Sequence, residues 1–174
     1  LPAALAVSKT PRYLNPIELV DYSRFVADEV RSGQYPYIEF DPEQRWHLRI
    51  YRDQRVDVWL ISWTPTQGTQ LHDHGGSSGA FTVVTGELSE AVYVRTGRGA
   101  GGLRERRHRA GRSIGFDGRY VHDVRNTSTE PAVSVHVYSR PLRLMNYYDV
   151  DDGELTRLAS VRTDDPEHEL NLAP

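Results

Sequence analysis

Apolar positions recur along the chain with two different periods, and the change falls near Arg45. Leu19, Tyr22, Val26 and Val30 stand at helical spacing, the pattern of a helix that buries one face. Asn15 can cap that helix, Pro16 suits its first position, Glu18 lies where the helix dipole favours an acid, and Gly33 ends it. A helix is therefore predicted over about residues 16–32, behind a loose tail at 1–14. From Arg45 onward short β-like runs dominate, at roughly 46–52, 56–63, 69–73, 80–85, 88–95, 102–108, 112–116, 120–125 and 132–139. Turn residues separate them, among them Pro65 to Gly68, Gly75-Gly76, Gly86, the Gly97 to Gly102 cluster, Asp117-Gly118 and Asn126 to Pro131. So many strands at close spacing predict a barrel or sandwich with its core over about 45–145. Residues 140–160 read as a short helical or irregular closing segment, and the polar stretch 161–174 as a loose tail.

Length and composition narrow the function. With 174 residues and no internal repeat or linker, one domain is expected. There is no cysteine, which excludes a thiolate nucleophile, a thiolate metal site and a redox pair. It also fits a reducing compartment, so a cytoplasmic location is expected. The net charge is -3 with no basic stripe, which argues against nucleic acid as a partner. Arg104 to Arg109 contains Glu105 and reads as a solvated hairpin edge. No apolar run approaches the roughly 18 residues of a membrane span, and Leu1 to Val7 reads as an ordinary terminus rather than a signal peptide. A monomer is expected.

The candidate chemistry begins at His72-Asp73-His74. Residues two apart in a strand share a face, so two imidazoles can converge on one metal while Asp73 points away. Four residues lead from His74 to Gly79, and six more to Gly86. Further on, Gly111, His122 and Asn126 follow a second fixed spacing. These two stretches resemble the paired motifs of the cupins, which implies an all-β jelly-roll barrel, here with a short N-terminal helical segment. His72, His74 and His122 are then the implied metal ligands. Asp117 and Arg119 depart from the second motif, and Gly79 stands where a typical cupin has a ligating Glu. Three neutral imidazoles would leave several positions open on an ion such as iron(II).

Within the cupins, the run from His72 through Phe81 to Leu88 is similar to bacterial cysteine dioxygenases, and so is the run from His122 through Asn126 to Ser139. Trp63, nine residues before His72, also fits. The resemblance covers about residues 45–145. It implies a mononuclear Fe(2+) enzyme that adds both atoms of O2 to the sulfur of L-cysteine. Ser134, His136 and Tyr138 share one strand face, and the resemblance makes them a relay ending in a catalytic phenol that also borders the substrate. Animal relatives cross-link this Tyr to a cysteine, and the matching position is Gly79, so Tyr138 is expected to be uncrosslinked and more mobile. The resemblance also calls for an arginine that binds the substrate carboxylate. Arg49, in His47-Leu48-Arg49, is the expected one. Arg52 is the rival, expected to face the opposite way in a regular strand. Related 3-mercaptopropionate dioxygenases carry Gln at this position, so an Arg favours cysteine. The cysteine enzymes usually continue Pro-Pro after Tyr-Ser, whereas this chain has Arg140-Pro141, and a trans Ser139–Arg140 bond is expected. Another small thiol as substrate, or a non-catalytic cupin that senses a small molecule, are the alternatives. Acireductone-type and sugar-isomerase cupins normally need the Glu that Gly79 lacks.

Overall fold

The computed structural model describes residues 12–95 and 101–166. The parts of the expected tails at 1–11 and 167–174, and of the glycine-rich turn at 96–100, lie outside the described residues. The predicted helix forms as α1 (Pro16–Arg31). Asn15 Oδ1 accepts from the backbone N–H groups of Ile17 and Glu18, and Glu18 reaches back to the Asn15 N–H. Such a capping box stabilises a helix start by about 1 kcal/mol.

Eleven strands follow among the described residues: β1 (His47–Arg52), β2 (Asp57–Trp63), β3 (His72–Asp73), β4 (Ser78–Thr85), β5 (Glu87–Val94), β6 (Gly102–Arg109), β7 (Ser113–Phe116), β8 (His122–Arg125), β9 (Ala132–Ser139), β10 (Met145–Asp151) and β11 (Glu154–Val161). They form a five-stranded sheet in the order β1-β2-β9-β4-β7 and a six-stranded sheet in the order β11-β10-β3-β8-β5-β6. All the pairings are antiparallel.

Strand alternation divides the core into two layers. Val133, Val135 and Val137 of β9, with Val58 and Leu60 of β2, face Leu19, Tyr22, Val26 and Val30 of α1. The residues between them, Trp59, Ile61, Trp63 and Tyr138, turn inward to meet Phe81, Phe116, Val124 and Met145. The period of two fixes this division. It leaves Ser134, His136 and Tyr138 as the inward face of a strand whose other face is covered by the helix. β6, which carries the Arg104 to Arg109 run, lies at a sheet edge and is largely exposed, as expected.

The structure corrects four expectations. Residues 140–160 are not helical or irregular but carry the hairpin β10–β11. Asp152 and Gly153 make its turn at φ 46° and 77°, the positive pair that a tight two-residue hairpin requires. Beyond β11, the described end of the chain is held rather than loose: the Thr163 N–H donates to the Arg143 carbonyl, and Asp164 pairs with Arg49 and Arg52. Arg52 does not face away from Arg49. A bulge between Arg49 and Tyr51 shifts the register, so Arg49 pairs with Trp59 and Arg52 with Asp57, two inward positions on β2. Finally, the Ser139–Arg140 peptide bond is cis, not trans.

Candidate metal centre

His72 and His122 are directly paired across β3 and β8, which sets their side chains side by side on the inner face. His74 lies just past the end of β3. The three rings sit with centroids 4.8, 4.9 and 5.3 Å apart. Each offers one nitrogen, all within 4.8 Å of one another, and all three residues are buried. Asp73 turns the other way, accepting from Tyr148 Oη at 2.6 Å, Asn146 Nδ2 at 2.7 Å and the Gly75 N–H at 2.7 Å.

The donor set suits a divalent transition metal. His72 Nδ1 faces the Gln70 carbonyl at 2.7 Å and His122 Nδ1 faces Glu90 Oε1 at 2.8 Å. Both acceptors require the proton on Nδ1, which leaves the two Nε2 lone pairs for the cluster. Burial, and then the charge of neighbouring histidines, pulls His72 down to about 3 and His74 well below the usual 6.5. His72 and His74 are therefore neutral at neutral pH, and each keeps one unprotonated ring nitrogen.

Gly79 contributes no ligand, and the packing explains why it is glycine. A Cβ there would lie 2.4 Å from Phe116 Cζ and 3.1 Å from Tyr138 Cδ1. The Phe116 ring takes the space that a side chain at this position would need, and stacks on His74 with centroids 5.1 Å apart at 22°. Tyr138, expected to be the more mobile for lacking a cross-link, is packed into this wall and is buried.

The three inward residues of β9 form a chain of hydrogen bonds. Trp63 Nε1, which can only donate, reaches Ser134 Oγ at 2.9 Å. Ser134 Oγ in turn lies 2.9 Å from His136 Nε2. The other ring nitrogen, Nδ1, faces Tyr138 Oη at 3.4 Å. Burial holds His136 at about 3, hence neutral. The Tyr138 ring stands 4.8 Å from that of His74.

Arg49 and Arg52 converge on the same two carboxylates. Arg49 Nε lies 3.2 Å from Asp57 and Arg52 Nη1 3.3 Å from it, while Asp164 Oδ2 stands 3.1 and 2.9 Å from the pair. Arg49 also packs over Trp59, its guanidinium carbon 4.3 Å from the ring centroid. Asp57 is fully buried and register-paired with Tyr138. Burial raises its pKa against the pull of both arginines.

Sequence reasoning missed Glu90. It is fully buried on β5, with Oε2 2.8 Å from His108 Nε2 and Oε1 accepting from His122 Nδ1 and, at 3.1 Å, from Tyr120 Oη. Bonds from the two histidines hold it at about 2 despite burial. Its one advance signal was an acid at the inward phase of an alternating strand, Leu88, Glu90, Val92.

These buried groups predict an acid-sensitive fold. For His72, His74 and His136 the folded pKa lies below the unfolded one. Between about pH 3 and 6.5 the unfolded chain therefore binds protons that the native protein does not. Stability is lost as pH falls through that window, by up to about 1.4 kcal/mol per pH unit for each imidazole. Glu90 acts in the same direction, between about 4.5 and 2. Chelator-treated protein should show a clearly lower denaturation midpoint at pH 5.5 than at 7.5. Equal midpoints would mean these rings are not buried as neutral groups.

The family described as Cysteine dioxygenase type I matches residues 25–151. Human Cysteine dioxygenase type 1 is 25% identical over 175 residues, covering 85% of this chain and 84% of that protein. The rat protein of the same name is 27% identical over the same coverage. Among solved structures, TT1209 from Thermus thermophilus superposes with a TM-score of 0.52 at 22% identity, over 62% of this chain and 93% of that one. The Cnp3 cupin domain of Schizosaccharomyces pombe gives 0.50 at 7% identity, over 60% and 66%. These likenesses show the cupin fold.

Proposed function

Because the chain belongs to the cysteine dioxygenase type I family, we propose that it is an iron(II) thiol dioxygenase acting on L-cysteine. The observation that carries this reading is the approach of the Ser134–His136–Tyr138 chain to a three-histidine cluster that has no carboxylate among its ligating atoms. His72, His74 and His122 would hold the metal through neutral nitrogens. Iron(II) bound there would bring thiolate and dioxygen together. Sulfur gives up four electrons and gains both oxygen atoms, so R–SH and O2 become R–SO2H with no other reductant.

The chain's own residues orient and protonate. Ser134, held by Trp63, orients the His136 ring, and with the ring's proton on Nδ1 His136 orients the Tyr138 hydroxyl to donate to a substrate or oxygen atom beside it. Arg49 supplies a planar donor fork suited to a carboxylate. The bulky wall of Trp59, Trp63, Phe81 and Phe116 keeps water from the reacting atoms.

Oxygen uptake by the iron-loaded protein, measured with cysteine, 3-mercaptopropionate and cysteamine and paired with sulfinate detection, tests the proposal. One O2 consumed per sulfinate formed, fastest with cysteine, is the expected result. Uptake with none of the three thiols rejects it. Tyr138→Phe should keep the metal and lower turnover about 10- to 1,000-fold, the range for a lost positioned donor. Unchanged turnover would remove the phenol from the chemistry.

A further inference from the structure

A divalent ion held only by three neutral imidazoles leaves two positive charges inside a barrel with apolar walls, a costly arrangement without a nearby anion. Position 79 cannot provide one, since any side chain there meets Phe116. We propose that Glu90 is the missing anion: a positioning residue that acts on the metal through His122, setting the ring's tautomer and offsetting the ion's charge from one imidazole away.

The geometry supports this on three counts. Glu90 is wholly buried, so solvent does not screen its charge. Its two oxygens take three donors, His122 Nδ1 at 2.8 Å, Tyr120 Oη at 3.1 Å and His108 Nε2 at 2.8 Å, which fixes the carboxylate in place. Its bond to His122 also differs in kind from the contact behind His72, where the acceptor is the neutral Gln70 carbonyl. His122 is thus the ring backed by a full negative charge. The three donors come from β6, from β8 and from Tyr120 just before β8, so the carboxylate ties the metal-bearing strand to the sheet edge.

Cobalt(II) titration of the metal-free protein is the test. Glu90→Gln keeps size and one acceptor oxygen but removes the charge. It should bind cobalt about 10- to 100-fold more weakly, the usual effect of losing such a partner, and should lower the metal-free denaturation midpoint, because three buried donors lose a charged acceptor. His108→Gln exchanges one donor for an amide and Tyr120→Phe removes one, yet both keep the charge and the His122 bond, and both should stay within about threefold of the parent. If Glu90→Gln unfolds without metal, the double variant Glu90→Gln/His108→Gln carries the same change of charge with two amides that can pair, and the same loss is expected of it. Full cobalt affinity in whichever of these folds overturns the proposal. So does a loss in Tyr120→Phe or His108→Gln as large as that in Glu90→Gln, because packing rather than charge would then set affinity. The inference rests on the three histidines being a metal site. A parent protein that takes up no cobalt defeats both readings, whereas parent binding with unaltered Glu90→Gln binding defeats the role of Glu90 alone.

Discussion

Replacing His74 by alanine is expected to weaken metal binding by well over a hundredfold and to abolish oxygen uptake. Loss of a group that merely backs a ligand costs about 10- to 100-fold, and His74 is one of three side chains among the described residues whose ligating atoms converge here. Among the described residues no carboxylate joins the cluster to replace it, since Asp73 is turned toward Asn146 and Tyr148 and Gly79 has no side chain. His74 also lies outside the β3 ladder, so the substitution removes no strand pairing. Metal content after dialysis, measured beside the denaturation midpoint, gives the answer. A variant that keeps one equivalent of tightly held metal would show that the ion binds elsewhere.

The second large effect concerns substrate choice. Arg49→Ala should raise KM for cysteine roughly a hundredfold. That is the low end of the cost of breaking a buried charge pair, taken because the Arg49 side chain is 34% exposed. Asp164 now shares the two guanidiniums, but at 62% exposure it is a weakly held partner, one that an entering carboxylate can displace. Asp57, fully buried, stays. Arg52→Ala should act in the same direction but by less than about tenfold, since Arg52 lies nearer the turn and Arg49 packs on Trp59, the strand neighbour of His136. Cysteamine, which lacks the carboxylate, should be almost indifferent to both changes. Equal losses for cysteine and cysteamine would assign the arginines to the fold rather than to the ligand.

What the sequence made legible is what strand period and motif spacing encode. His72, His74 and His122 could be grouped before any fold was seen, and Ser134, His136 and Tyr138 fall two apart, so one face had to carry all three. Other features depend on register between distant strands, which no local pattern records. The bulge after Arg49 reverses the face of Arg52. Glu90 meets His108 and His122 only because β5 lies between β6 and β8. The fit of Phe116 against Gly79 follows from their direct pairing across β4 and β7. The hairpin β10–β11 was a different failure. Its Asp152-Gly153 turn is a local signal, but β11 is mostly exposed, and its polar residues hid the strand.

Every residue of β9 is buried. It has a strand on each side and a helix over its outer face, so its amides have no route to solvent short of wide opening. They should be among the last in the molecule to exchange hydrogen for deuterium, at rates set by global unfolding. The exposed β6 and β11 should exchange early. Tyr138, His136 and Ser134 are thus mounted on what is expected to be the most slowly opening segment of the chain. The alignment of the phenol is then inherited from the persistence of the whole fold, and local breathing at the sheet edges need not disturb it.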